Sequence, residues 1–390
     1  MSDRTQGKET RSALLRKERS LYDYSMLFVV LFLCCFGLIM VYSASYYSAR
    51  VKGLPDTYYL RQQAIWYVLG TAAMIGLSLI DYHFWQFFAI PGYLVGVVVM
   101  GLINWTSLGL ELNGKKRWLK LPFDQSIQGA EIVKLTVILM MAWMLARLAK
   151  RVDEWIWFVA VLILVGVAAG LVLINNLSSG IIIGAIGLYM LFLSSRRKWP
   201  FIVFAVLVIT AVAAVLIFSD KIVEMGLLEP YQMERINVWK DPEAYADEGG
   251  YQVLQGLYAI GSGGLFGKGL GNGTQKLGFV PEASNDMIFS ILCEELGLFG
   301  AFCLIALFLF LLYRMMLVAN NAPDRFGSLL VVGVMVHIGL QTVMHIAVVT
   351  GVMPNTGVTL PFISYGGTSV LFLMAEIGLV LSVSRRIRLS

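Results

Sequence analysis

The chain has 390 residues, 58% hydrophobic and only 14% charged, with a net charge of +5. Soluble domains carry about 25% charged residues, so this composition excludes an ordinary water-soluble enzyme and puts the chain in lipid. The positive excess is small and collects in short loops beside apolar runs, which gives no reason to read nucleic-acid binding into it.

A bilayer crossing takes roughly 20 apolar residues. Ten runs of about that length are predicted as helices, at 25–46, 63–80, 84–105, 129–148, 155–174, 177–195, 200–218, 286–313, 328–350 and 361–383. The first 19 residues hold six basic and three acidic side chains, without the apolar core and small-residue cleavage site of a signal peptide. Residues 1–20 therefore read as a polar tail ahead of one membrane domain, 21–388. Lysine and arginine in short loops set the orientation. Arg147, Lys150 and Arg151 follow span four, Arg196, Arg197 and Lys198 follow span six, Arg314 and Arg325 separate spans eight and nine, and Arg385, Arg386 and Arg388 follow span ten. With ten spans all of these fall on the side of the basic tail, so both termini read as cytoplasmic. Cys34, Cys35, Cys293 and Cys303 all lie in apolar runs without metal-ligand spacing and read as packing residues.

One loop breaks the charge rule. Residues 106–128 should lie outside, yet they hold Lys115, Lys116, Arg117 and Lys120. Such a cluster fits an external anionic ligand or anionic lipid headgroups equally well. Span four then opens with Gln128, Gly129, Ala130 and Glu131, and Lys134 shares a helix face with Glu131. That pair is either a self-neutralising structural unit or part of a site.

The segment 219–285 is too long for a turn and too polar to span, with nine acidic against five basic side chains. A loop of that length is uncommon unless functional or disordered. Its first half, Met225 to Tyr251, has spacing compatible with a short helix lying on the membrane. Its second half carries Gly261, Gly263, Gly264, Gly267, Gly269, Gly271 and Gly273, and reads as a re-entrant or cavity-lining segment whose backbone comes close to a ligand. Asp286 follows at the mouth of span eight, with Glu294 and Glu295 two to three turns deeper. Carboxylates in such places are functional candidates, although Asp286 could also serve as a helix cap, and Glu294 and Glu295 read equally well as groups facing the bundle interior in a packing or switching role. His337, Gln341 and His345 share one face of span nine and read as interhelical hydrogen-bonding groups.

These motifs carry a resemblance. GSGGLFGKGLGNGTQKLGFVPEASNDMIFSILCEELG from Gly261 to Gly297, and MPNTGVTLPF running into ISYGG at Ile363–Gly367, resemble the SEDS family of FtsW- and RodA-type peptidoglycan glycosyltransferases. VYSAS at Val41–Ser45, YYLRQQAIW at Tyr58–Trp66, Arg117–Trp118 and SIQGAEIVKL at Ser126–Leu135 extend the match over residues 20–388. The glycine-rich wording is more like the division and sporulation branch than the elongation branch. The resemblance implies an all-α polytopic fold of about ten transmembrane helices in the bacterial cytoplasmic membrane. It also implies polymerisation of lipid II at the outer face, and a class B penicillin-binding protein as crosslinking partner. The family's essential aspartate falls on Asp286, here within Asn285-Asp286-Met287, where the family usually has threonine and phenylalanine as neighbours. Gly129-Ala130 stand where the family usually has Pro-Ser, Asn175-Asn176 where it has Pro-Asp, and His345 where it has asparagine.

The chemistry agrees. A sugar hydroxyl must lose its proton as it attacks, which makes Asp286 a general base, and the departing lipid pyrophosphate needs positive charge. Arg117 and Lys134 are the expected cations, with Glu131, Arg61, Gln128, Lys268 and Trp118 as further substrate-binding candidates. No cofactor is implied; a divalent cation could share the task, but the sequence offers no dedicated ligand set. The competing readings are a flippase for lipid-linked precursors, which would use the same charges as a pathway, and a non-catalytic scaffold for the crosslinking enzyme.

Overall fold

The computed structural model describes residues 22–112, 115–120, 126–217, 230–247 and 249–387. The polar tail 1–20, residues 218–229 of the long loop and Arg388 lie outside the described residues.

Each of the ten expected spans contains a helix. They are α1 (Tyr24–Val51), α2 (Tyr58–Leu79), α3 (Ala89–Trp105, entered by a 3₁₀ turn, Tyr82–Phe88), α4 (Gly129–Leu148), α5 (Trp155–Leu173), α6 (Leu177–Ser194), α7 (Trp199–Ile217), α10 (Ile288–Asn320), α11 (Arg325–Val349) and α12 (Gly367–Arg385). Between α7 and α10 lie α8 (Pro230–Lys240) and α9 (Gly250–Gly263). Among the described residues, eight helical stretches are long and apolar enough by themselves to cross a membrane; α2, with Arg61 and two glutamines in its first turns, and α7 complete the ten. The basic loop after α3 is a small antiparallel sheet, β1 (Gly109–Leu112), β2 (Lys115–Lys120) and β3 (Ser126–Gln128), in the order β1-β2-β3. β2 carries a bulge: Lys116 lies opposite Glu111 and Trp118 opposite Leu110, so Arg117 is the extra residue between them.

Lipid offers little hydrophobic drive between helices, so small residues set the closest packing. At the α2–α12 contact, a Cβ on Gly70 would come 2.5 Å from Met374 Sδ, and one on Gly378 would come 2.6 Å from the Met74 carbonyl oxygen. The core is continuous through α1, α4, α10, α11 and α12.

Irregular segments shift two of the predicted helix starts. Span eight starts at Ile288 and span ten at Gly367, because irregular segments precede both. Glu282 (φ 52°) and Phe362 (φ 61°) hold left-handed backbone in those segments, conformations that cost about 1–2 kcal/mol at a residue with a Cβ and persist only when the surroundings enforce them.

α10 is broken at Gly297, whose φ is 68°. The glycine-rich segment repairs that break. Lys268 and Gly269 N–H donate to the carbonyls of Glu294 and Glu295 at 2.9 Å, while Leu298 and Phe299 N–H donate to the carbonyls of Gly264 and Leu265 at 2.9 and 3.0 Å. Backbone groups freed inside a membrane must find such partners. The close approach expected of the glycines is therefore to the chain's own helix: a Cβ at Gly267, which has φ 75°, would sit 2.1 Å from the Glu295 carbonyl oxygen.

Candidate functional site

The turn 282–287 carries Asp286 just ahead of α10. Asn285 and Met287 N–H both donate to the Glu282 carbonyl, at 2.9 and 3.3 Å. A second irregular segment clamps this turn from outside. Tyr365 N–H donates to the Ser284 carbonyl at 2.9 Å and Ser364 Oγ donates to the Asn285 carbonyl at 2.7 Å. Phe362, left-handed, gives its carbonyl to the Tyr67 hydroxyl at 2.6 Å.

Asp286 does not cap α10: the N-cap position is Met287 and no side chain caps it. Its Oδ1 is buried without a hydrogen-bond partner. Gly357 leaves the other side open, since a Cβ there would stand 3.5 Å from Oδ2. Burial pushes the Asp286 carboxyl up to about 6, with the Glu282 charge adding to the rise, against the opposing pull of its own N–H, Arg235 and Gln252. Gln252 lies beside the carboxylate without completing a hydrogen bond, its Nε2 being unpartnered as well.

Gln252 leads to the cations. Asn355 Nδ2 donates to Gln252 Oε1 at 3.1 Å, and the Asn355 carbonyl accepts from Arg235 at 2.6 Å. Asn355 and Arg235 line a cavity of about 320 Å³ together with Lys115 and Arg117 from β2. The rest of its wall is mostly apolar, from α6 and the end of α5 (Leu173, Ile174, Leu177, Ile181) and from Ile236 and Met353. Arg117 is held by its Nε, which donates to the Asn175 carbonyl at 3.0 Å. Asn175 in turn donates to Asn104 at 2.8 Å.

A smaller cavity, of about 40 Å³, is wide enough for a water or two. Gln128, Glu131, Lys134, Ser178, Gln341 and Gly357 are among its walls. Lys134 Nζ pairs with Glu131 Oε1 at 2.8 Å and donates to Gln341 Oε1 at 3.1 Å, all three side chains being buried. Ser178 lines both cavities, and Gly357 joins the smaller one to Asp286.

The structure thus brings Asp286, Arg117, Gln128, Glu131 and Lys134 around adjoining spaces. It does not bring the others there. Arg61 is exposed on the first turn of α2, and Trp118 lies opposite Gln128 in the β2–β3 ladder; neither lines either cavity. Lys268 pairs with Glu294 at 2.7 Å, and Thr274 and Gln275 N–H donate to the same carboxylate. Glu295 accepts from Ser43 at 2.7 Å and pairs with Lys276, all three being buried. The two glutamates therefore fasten the glycine-rich segment onto α10. His345 bonds the Val358 carbonyl through Nδ1 at 2.7 Å, holding the segment between α11 and α12. Arg235 was not singled out in the sequence, and Lys115 was named there only as a member of the basic cluster. Among the described residues no group of three or more His, Cys, Asp or Glu is arranged to hold a metal ion.

The FTSW_RODA_SPOVE family model, described as cell cycle protein, matches residues 24–389. The chain belongs to this family. It is 36% identical over 369 residues to a probable peptidoglycan glycosyltransferase FtsW of Coxiella burnetii, covering 93% of this chain and 96% of that one. The FtsW of Bacillus subtilis is 33% identical over 384 residues, covering 97% and 94%, and the stage V sporulation protein E of the same organism 34% over 369 residues, covering 93% and 97%. Solved structures share this fold as well. A chain from a peptidoglycan synthase complex, described for its coordination of polymerization and crosslinking, superposes with a TM-score of 0.77 at 25% identity, covering 93% of this chain and 98% of that one. RodA of Thermus thermophilus gives 0.67 at 24% identity, covering 95% and 98%, a likeness of fold.

Proposed function

We propose that this chain is a peptidoglycan glycosyltransferase of the cytoplasmic membrane that polymerises lipid II into glycan strands at the outer face, in division or related wall synthesis. The observation that carries the reading is the partnerless Oδ1 of Asp286, joined through Gln252 and Asn355 to a cation-bearing apolar cavity. Asp286 is the general base. A carboxyl at about 6 is ionised at neutral pH yet more basic than an ordinary aspartate, which suits proton abstraction. The acceptor sugar oxygen bonds the anomeric carbon of the donor, its proton passes to Asp286, and the bond to the lipid pyrophosphate breaks with its electron pair leaving on the pyrophosphate oxygen.

That leaving group needs fixed positive charge more than it needs an acid. Arg117, Arg235 and Lys115 supply it at the larger cavity and Lys134 at the smaller one, the arginines through their planar forks and the lysines as point charges. The apolar wall suits the first carbons of a prenyl chain, with membrane lipid alongside. The crosslinking partner in this reading is a class B penicillin-binding protein, supported by the likeness to the peptidoglycan synthase complex.

The test is polymer formation by purified protein given labelled lipid II, with and without such a partner. Wild type should build glycan strands, and Asp286→Ala, folded and inserted normally, should build none. Strand synthesis at the wild-type rate by Asp286→Ala would remove the base assignment.

A further inference from the structure

The proposed chemistry leaves a buried polar chain unexplained. Behind Lys134, Gln341 on α11 meets His337, and His337 meets Glu376 on α12. His337 and Glu376 are fully buried in the middle of their helices. The distances are 2.7 Å from His337 Nδ1 to Glu376 Oε2 and 3.0 Å from His337 Nε2 to Gln341 Oε1. Burying such a pair costs free energy that packing residues would not.

The donors and acceptors determine where the hydrogens are. Gln341 Nε2 lies 3.1 Å from the Thr359 carbonyl, which can only accept, and Gln341 Oε1 lies 3.1 Å from the Lys134 ammonium, which can only donate. Both neighbours demand the same amide orientation, so the choice between the two flips is not arbitrary. Oε1 is then an acceptor toward His337 as well, and His337 Nε2 must carry a hydrogen. The remaining contact, Nδ1 to Glu376 Oε2, needs one further proton, on the ring or on the carboxyl. Without it two lone pairs would face each other at 2.7 Å in an apolar interior.

From this accounting we infer that His337 and Glu376 hold one proton between them and act together as positioning residues for Lys134, keeping the Gln341 oxygen turned toward its ammonium. The inference rests on the reading of Lys134 as a pyrophosphate-binding cation. Removing the shared proton would turn His337 to the Nδ1–H tautomer and make Nε2 an acceptor. Gln341 would then have to flip, presenting its NH₂ to Lys134 and its oxygen to the Thr359 carbonyl. Lys134 would keep only Glu131, and its ammonium would be drawn away from the cavity. Glu131 Oε2 is already unpartnered there, so the ammonium has somewhere to go.

Two measurements test this in nanodiscs. The chain has three histidines, so ring ¹⁵N labelling gives three assignable pairs, with His337 identified by its loss in His337→Gln. Wild type should show His337 protonated at Nε2 and hydrogen-bonded at Nδ1; a bare Nε2 would overturn the proton assignment. The second is a kinetic cycle. Glu376→Leu, which removes the partner that fixes the His337 ring through Nδ1, should lower kcat/KM for lipid II by roughly tenfold, mid-range for residues of one coupled network, chiefly through KM. Glu376→Gln, whose amide can donate to Nδ1 as the protonated pair does, should restore most of that loss. On a Lys134→Ala background Glu376→Leu should cost almost nothing more, whereas a general packing defect would add in full. Full additivity, or a Glu376→Gln enzyme as impaired as Lys134→Ala, would overturn the positioning role even if Glu376→Leu fails to fold. Normal turnover by Lys134→Ala would instead refute the pyrophosphate reading and the positioning role with it, while the ring nitrogens would still report the proton.

Discussion

Asp286→Asn should make the protein more stable while abolishing its activity. Burial and Glu282 raise the Asp286 carboxyl from 3.8 to about 6, and each unit is worth about 1.4 kcal/mol of difference between the ionised and neutral forms. Keeping Asp286 ionised in the fold therefore costs about 3 kcal/mol at neutral pH. The sign follows from the raised value. The folded protein binds this proton more tightly than the unfolded chain, so stability declines as pH rises from about 4 to about 6 and the penalty is complete above that window. Asparagine keeps the shape and removes the charge. The substituted protein should thus unfold at higher temperature or denaturant than wild type at neutral pH, and the difference should vanish near pH 4. Glycan synthesis should drop by about 10²–10⁴-fold, the usual contribution of a general base. Unfolding in mild detergent at the two pH values, paired with a polymerisation assay, measures both effects. Equal or lower stability of Asp286→Asn at neutral pH would refute the burial argument, and with it the raised basicity.

Three further outcomes are expected. Arg117→Lys and Arg235→Glu should each raise KM for lipid II, Arg117→Lys because the bidentate fork is lost, and unchanged kinetics in both would detach the larger cavity from the pyrophosphate. Gly267→Ala should destabilise by about 3 kcal/mol or more in thermal unfolding, since it adds a Cβ at φ 75° against the Glu295 carbonyl; a neutral result would mean the glycine-rich segment is not packed on the break in α10. Lys268→Ala should lower stability by about 1–3 kcal/mol by leaving Glu294 with fewer donors, and should leave KM for lipid II unchanged; a raised KM with normal stability would make Lys268 a substrate ligand after all.

The membrane helices were legible because a run of some 20 apolar residues is a signal along one dimension. Asp286, Glu131 and Lys134 stood out for the complementary reason, as charges beside or inside such runs. Arg235 did not, because it sits in a polar segment with nine acidic neighbours and no periodicity to single it out. Glu376 was equally hidden: its partner His337 lies 39 residues away on another helix, and nothing along the chain pairs them. The glycines of 261–273 were legible as a demand for close backbone approach, but not as to which backbone comes close. Spacing cannot distinguish a ligand from the chain's own broken helix. Lys268 and Glu294 show the same limit, since nothing along the chain pairs them and the fold makes them partners.

In this reading the outer-facing aspartate drives polymer formation. Proteoliposomes with labelled lipid II confined to the outer leaflet measure this directly. Wild type should give glycan polymer and Asp286→Asn about 10²–10⁴-fold less, with the label staying in its leaflet in both. Transfer of label to the inner leaflet that depends on this protein, with no polymer whatever partner is present, would contradict it and identify a flippase instead.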